Sequence, residues 1–292
     1  MKKKSSLKHT GAFWAFCAPC CILFGVFFLV PLVLSIAFSF TNYDGWKTID
    51  FVGLKNYITL FKDSKFYLSL GRTLLYTVCT LPFRVIIPLL VAVLLCSKRV
   101  AAKSLTRTMV YIPVLMSALV VGITINWMFS QEYGLVNFII RSLGGTALEW
   151  SLNPRLATFV IAFASVWASI GFNMILYIGG INSISNDLYE AATIDGASGV
   201  QAFFRITVPM LAPTTFMVVL LSTVNLLKEY ALVQGITQGG PGLSTTFIIQ
   251  YIFDKGFNQM QYGYASAIST VVMIIFALIA FAQFKVNNGG ET

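Results

Sequence analysis

Apolar residues in this chain gather into six long runs, at 13–40, 71–96, 109–130, 156–181, 208–230 and 264–286, with more polar stretches between them. At about 1.5 Å of rise per residue, each run is long enough to cross a hydrocarbon layer roughly 30 Å thick. Backbone facing lipid must satisfy its hydrogen bonds within its own segment, so the runs predict helices. They are too long and too continuous for barrel strands. The fold class expected is therefore all-α: a polytopic membrane protein with six transmembrane helices and one short cytoplasmic helix between spans four and five. No linker, low-complexity stretch or internal repeat divides the chain. A single transmembrane domain is expected over 13–286, between a basic cytoplasmic tail at 1–12 and a C-terminal tail at 287–292.

Composition supports the membrane assignment and charge gives it an orientation. Of the 292 residues, 57% are hydrophobic and 11% charged, where a soluble domain carries about 25% charged residues. Lys2, Lys3, Lys4 and Lys8 flank the first run, and Lys98, Arg99, Lys103 and Arg107 lie between the second and third. Cytoplasmic loops are enriched in Lys and Arg, which predicts both termini inside and 41–70, 131–155 and 231–263 outside. Lys47, Lys55, Lys62 and Lys65 in the first outer segment narrow that bias. The net charge of +9 is explained by membrane-flanking anchors; no basic stripe elsewhere suggests nucleic acid. Gly11 to Phe40 is too long for a signal-peptide core and lacks a clear small-residue cleavage site, so a retained first span is expected. All five cysteines, Cys17, Cys20, Cys21, Cys79 and Cys96, fall in apolar runs. The C-x-x-C spacing of Cys17 and Cys20 sits in a hydrophobic helix, and they read as packing residues.

Little in the chain suits catalysis. His9, in the basic tail, is the one histidine, which argues against imidazole acid–base chemistry and against a zinc site. There is no G-x-x-x-x-G-K-[ST] loop, so any ATP-driven engine must be a separate polypeptide. The most informative segment runs from Ser183 to Ser198, between spans four and five. Ser185 or Asn186 can cap a helix with Asp187 in its first turn. Leu188, Tyr189, Ala191, Ala192 and Ile194 continue it, and Gly196 suits the left-handed residue that ends it. The segment holds no Lys or Arg before Arg205, so docking into a partner's groove is favoured over lying on lipid.

Glu190-Ala191-Ala192, Asp195-Gly196-Ala197 and Ile206-Thr207-Val208-Pro209 together resemble the signature loop of binding-protein-dependent ABC importer permeases. The family pattern usually has proline where this chain has Ser185. Phe51-Val52-Gly53-Leu54-Lys55-Asn56-Tyr57, Glu132-Tyr133-Gly134-Leu135-Val136-Asn137, Gly171-Phe172-Asn173-Met174 and Thr237-Gln238-Gly239-Gly240-Pro241-Gly242 are similar to the carbohydrate-uptake branch, which serves maltose, multiple sugars or glycerol phosphates. The resemblance covers nearly the whole chain. It implies a coupling helix seated in a cleft of the ATPase subunit, with Leu188, Tyr189, Glu190, Ala191, Ala192, Asp195, Gly196 and Ala197 as ATPase-coupling residues. It also implies a second, homologous permease as heterodimer partner, an ATPase dimer that uses ATP and Mg, and an extracellular solute-binding protein. The setting implied is the bacterial plasma (inner) membrane. This chain would be a transport subunit that binds no cofactor itself and is not an enzyme.

Charged and polar residues within a span are costly, roughly 2.5–3.5 kcal/mol for a mid-helix charge. Arg84 lies near the centre of span two, between Pro82 and Pro88, and is expected to find an acid or several carbonyls. Glu229, the one acid within a span, and a residue of the second permease are alternative partners. Lys228 and Glu229 lie beside Asn225 near the outer end of span five. Trp167, Ser169 and Asn173 in span four, with Ser222, Asn225 and Glu229 as one polar stripe in span five, are the candidate solute path. Sugar hydroxyls need fixed donors and acceptors while the ring faces pack on aromatics. Two readings from other classes compete. A polytopic membrane enzyme acting on glycan or lipid would need clustered acids, histidines or a metal constellation. A secondary transporter would show duplicated halves and mid-membrane acids.

Overall fold

A computed structural model of the chain describes residues 6–46, 49–97 and 102–288. Lys2, Lys3, Lys4, Lys47, Lys98 and Arg99, on which the expected orientation partly leans, lie outside the described residues. So do 1–5 and 289–292 of the two expected tails, while helix reaches into both. Among the described residues the chain is helical, with one isolated bridge between Thr41 and Phe51. Four helices are long and apolar enough to cross a membrane, or six if each of two bent pairs is one span. The chain divides into two compact units, Met1–Ser64 with Ile252–Ile275, and Lys65–Tyr251 with Phe276–Thr292.

In the first unit, α1 (Ser6–Phe24) and α2 (Val30–Phe38) run through a π-helical turn at Gly25–Leu29. Pro31 has no N–H for the carbonyl four residues back, and the Val30 N–H reaches Gly25 O, five back, instead. None of the Phe16–Phe38 window is buried; this apolar surface suits lipid. The segment after α2 folds back on α3 (Lys55–Leu60). The Asn56 amide donates to Ser39 O and Thr41 O at 2.9 and 2.8 Å.

The second unit holds nearly all of α4 (Ser64–Cys96), then α5 (Lys103–Leu115), α6 (Ala118–Met128), α7 (Leu135–Ser142) and α8 (Pro154–Asn182). Asn153 caps α8, its Oδ1 accepting the Arg155 and Leu156 N–H groups, with Pro154 at the first helical position. After α9 (Asn186–Ile194) come α10 (Gly199–Ala202), a π-helical turn at Phe203–Thr207, α11 (Val208–Met210), α12 (Ala212–Leu227), α13 (Ala231–Ile236) and α14 (Ile248–Phe253). A further π-helical turn, Asp254–Asn258, and α15 (Tyr262–Asn288) as far as Ile275 belong to the first unit, and the rest of α15 to the second.

Two of the predicted spans are not straight. The run at 109–130 is split: α5 and α6 meet at 100°, with Met116 and Ser117 in extended conformation between them. The bend lets α6 lie along α13, burying Val121 and Ile125 with Leu232, Val233 and Ile236. Contact here is backbone to backbone. A Cβ on Gly122 would stand 2.9 Å from Gly235 Cα and 2.9 Å from Leu232 O. The run at 208–230 is likewise bent, by 66°, between Gly199–Met210 and α12, where Pro213 lacks the N–H a continuous helix needs. Nor are the expected outer segments plain loops: α3 and the start of α4 lie within 41–70, and α13 and α14 within 231–263.

Candidate functional site

Two apolar clusters divide the second unit along its helices. One includes Tyr76 of α4, Ile161 and Ala164 of α8 and Leu226 of α12; the other includes Ala92 and Leu95, Met174 and Tyr177, and Val218 of the same three helices. Between them each helix contributes polar residues: Thr80 and Arg84 from α4, Ser165 and Asn173 from α8, Ser222 and Thr223 from α12, all buried. The result is a polar layer closed off on both sides by apolar packing.

Its bonds follow from one proline. Pro88 cannot donate to the carbonyl of Arg84, four residues back. Asn173 supplies the missing donor, its Nδ2 reaching Arg84 O at 2.9 Å and Ser222 Oγ at 3.2 Å. The Arg84 side chain extends from this point, and its Nη2 donates to Ser165 Oγ at 2.7 Å. The same nitrogen lies 4.0 Å from Glu229 Oε2, the two side chains being 7% and 10% exposed. The cation in span two thus has its acid partner within the chain. Arg84 Nε and Thr80 Oγ1 are buried without a hydrogen-bond partner, and buried polar atoms of this kind commonly meet water or a bound hydroxyl. A cavity of about 490 Å³ lined mainly by α4 and α8 borders the layer, with Tyr76, Thr80, Phe83, Phe159 and Phe163 among its walls.

Of the candidate solute-path residues, the structure brings Asn173, Ser222 and Glu229 together around Arg84. Trp167 packs against the first apolar cluster, and Ser169 bonds the Val166 carbonyl at 2.9 Å. The stripe expected in span five is not uniformly buried. Ser222 is buried, whereas Asn225 and Lys228 are exposed. The α-helix ends at Leu227, so Glu229 enters the layer from the turn beyond it. Sequence reasoning missed Ser165 and Thr80, since a lone Ser or Thr among apolar residues reads as packing.

The second candidate element is α9. Ser185 caps it, Oγ accepting the Asp187 N–H at 3.3 Å. At its end Gly196 adopts φ +74°, its N–H bonds Thr193 O at 3.1 Å, and the Ala197 N–H bonds Ala192 O at 2.8 Å. This paired closure is the Schellman ending. Ser198 and Gln201 then form a capping box for α10. Tyr189 anchors α9 inward, its hydroxyl 2.9 Å from Thr207 Oγ1. Leu188, Glu190, Ala191, Asp195 and Gly196 are exposed, as is Ile194 at 86%; Ala192 and Ala197 are half-buried. A short helix fixed at both ends presents apolar side chains outward, a form suited to docking.

Comparison with known proteins gives consistent matches. The family described as "binding-protein-dependent transport system inner membrane component" matches residues 52–288. The arabinooligosaccharides transport system permease protein AraP of Bacillus subtilis is 32% identical, covering 94% of this chain and 88% of AraP. The lactose transport system permease protein LacF of Rhizobium radiobacter is also 32% identical, over 93% of this chain and 92% of LacF. The multiple sugar-binding transport system permease protein MsmF of Streptococcus mutans is 32% identical over 95% and 96%. In three dimensions the chain resembles a bacterial ABC transporter involved in import of the acidic polysaccharide alginate, with TM-score 0.83, 24% identity and 97% of both chains covered.

Proposed function

Because this chain belongs to the family of binding-protein-dependent transport system inner membrane components, we propose that it is the permease subunit that carries a sugar or oligosaccharide into the bacterial cell. The observation that carries this substrate class is the set of relatives, each 32% identical over more than nine-tenths of the chain and named for arabinooligosaccharides, lactose or multiple sugars. A transport subunit of this kind is not itself an enzyme.

In this reading residues 13–286 form the transmembrane region, with each bent pair counted as one span and both termini cytoplasmic. Solute passes alongside the polar layer, where Asn173, Ser222, Asn225 and Glu229 with Ser169 offer donors and acceptors, Trp167 and the phenylalanines of the adjoining cavity offer ring faces, and Lys228 faces outward toward a second permease. Arg84 fixes the layer rather than ferrying charge. The exposed side of α9, from Leu188 to Ala197, seats in an ATPase subunit. That subunit, as a dimer, uses ATP and Mg; an extracellular solute-binding protein delivers the sugar. Spans four and five flank α9, so its movement reaches both Asn173 and Ser222. Affinity purification of the tagged chain from its native membrane tests the assembly: an ATPase subunit and a second permease should copurify. Isolation of the chain as a lone homo-oligomer that transports without ATP would overturn the proposal.

A further inference from the structure

The first unit contains a cavity of about 530 Å³ that neither the polar layer nor α9 explains. Its size falls within the roughly 300–1,000 Å³ usual for small-ligand sites. Asn42, Asp44, Trp46, Asp63, Lys255 and Tyr264 are among the residues that line it. All but Tyr264 fall in segments that the sequence reading assigns to the outer surface.

The chemistry of this wall is mixed in a particular way. Trp46 lines the cavity and is 85% exposed, so its large indole is open to solvent rather than packed in a core. The Trp46 backbone N–H donates to Asp44 Oδ1 at 3.1 Å, an Asx-type turn that ties the Asp44 carboxylate to the backbone of this segment. Asn42 and Asp50 brace the same segment: Asn42 Nδ2 donates to Asp50 Oδ2 at 3.0 Å, and the Asp50 N–H to Asn42 Oδ1 at 2.9 Å. Within the same lining the Tyr264 hydroxyl donates to Asp63 Oδ2 at 2.7 Å, and Lys255 Nζ lies 5.8 Å from the centre of the Tyr264 ring. Carboxylates accept up to about four hydrogen bonds and an ammonium donates three. Such a wall can serve several hydroxyls while keeping its own bonds. Planar polar groups together with an exposed indole match a pyranose or furanose, which has an apolar CH face and a rim of hydroxyls. An acyl chain or an apolar helix would leave these carboxylates and amides desolvated.

We propose that this cavity is a second carbohydrate-binding subsite, on the extracytoplasmic side, that holds one or two sugar residues of the incoming solute against Trp46. The proposal rests on the reading that the solute is a saccharide. Saturation-transfer difference NMR on the purified complete transporter, without binding protein and with lactose and arabinotriose as probes, tests it directly. Trp46→Ala should weaken binding of the responding sugar about fivefold, the scale of one lost aromatic contact, and Trp46→Phe should restore most of it. Equal binding by wild type and Trp46→Ala, or no binding by a wild type that takes up either sugar in proteoliposomes, overturns the subsite alone. Weaker association of the solute-binding protein in Trp46→Ala, with sugar binding intact, makes the cavity a protein-docking surface and also overturns it. Neither uptake nor binding of either sugar overturns the saccharide reading and the subsite together.

Discussion

The guanidinium of Arg84 and the carboxylate of Glu229 meet 4.0 Å apart, one from the middle of α4 and the other from the turn beyond α12. Removing one member of a buried pair leaves an uncompensated charge, at a cost of about 3 kcal/mol or more. Arg84→Met or Glu229→Gln should therefore lower the unfolding midpoint of the detergent-solubilised transporter clearly. The double variant should lose less than the two single losses added together. Strict additivity in that cycle would mean the two groups do not interact.

The bond from Asn173 to Arg84 O leads to a paired test with Pro88. Asn173→Leu leaves that carbonyl, which the helix itself cannot satisfy, without its donor, at about 1–3 kcal/mol. Pro88→Ala restores the helical N–H. The Asn173→Leu loss should then be smaller in a Pro88→Ala background than alone, by thermal unfolding of the same preparations. A loss of equal size in both backgrounds would show that the carbonyl is not what Asn173 serves.

Gly196 has φ +74° and open space around its missing Cβ, so a substitution there acts through backbone strain. A β-branched residue is disfavoured in that conformation by about 1–2 kcal/mol, while Asn tolerates it. Gly196→Val should impair ATPase association and uptake, and Gly196→Asn should retain most of both. Wild-type coupling of ATP hydrolysis to uptake in Gly196→Val would count against α9 as the docking element.

The elements most legible in the sequence were those set by local rules. Spans two, four and six appear within a few residues of their apolar runs except where α4 starts earlier, at Ser64. α9 follows from Ser185 as cap and Gly196 as stop. What stayed hidden depends on distant partners. The 100° break between α5 and α6 is stabilised by α13, through the close approach of Gly122 to Gly235, and an apolar run carries no trace of it. The stripe of Ser222, Asn225 and Glu229 assumed that α12 continues beyond Leu227; the helix stops there, so Glu229 comes from outside it, and within α12 Ser222 is buried while Asn225 is exposed. Arg84 was legible as a buried cation, but its contact with Ser165 depends on two helices meeting, which no spacing within either reveals.

ATP-dependent uptake by the reconstituted transporter addresses the central claim most directly. The chain, its second permease and its ATPase subunits would be placed in proteoliposomes, with the solute-binding protein on the opposite side from the nucleotide sites. The account predicts accumulation of labelled lactose or arabinotriose that requires ATP, Mg and the binding protein together, and that falls sharply with Gly196→Val. Accumulation that proceeds without ATP, or none of any saccharide while the complex assembles and hydrolyses ATP, would contradict it.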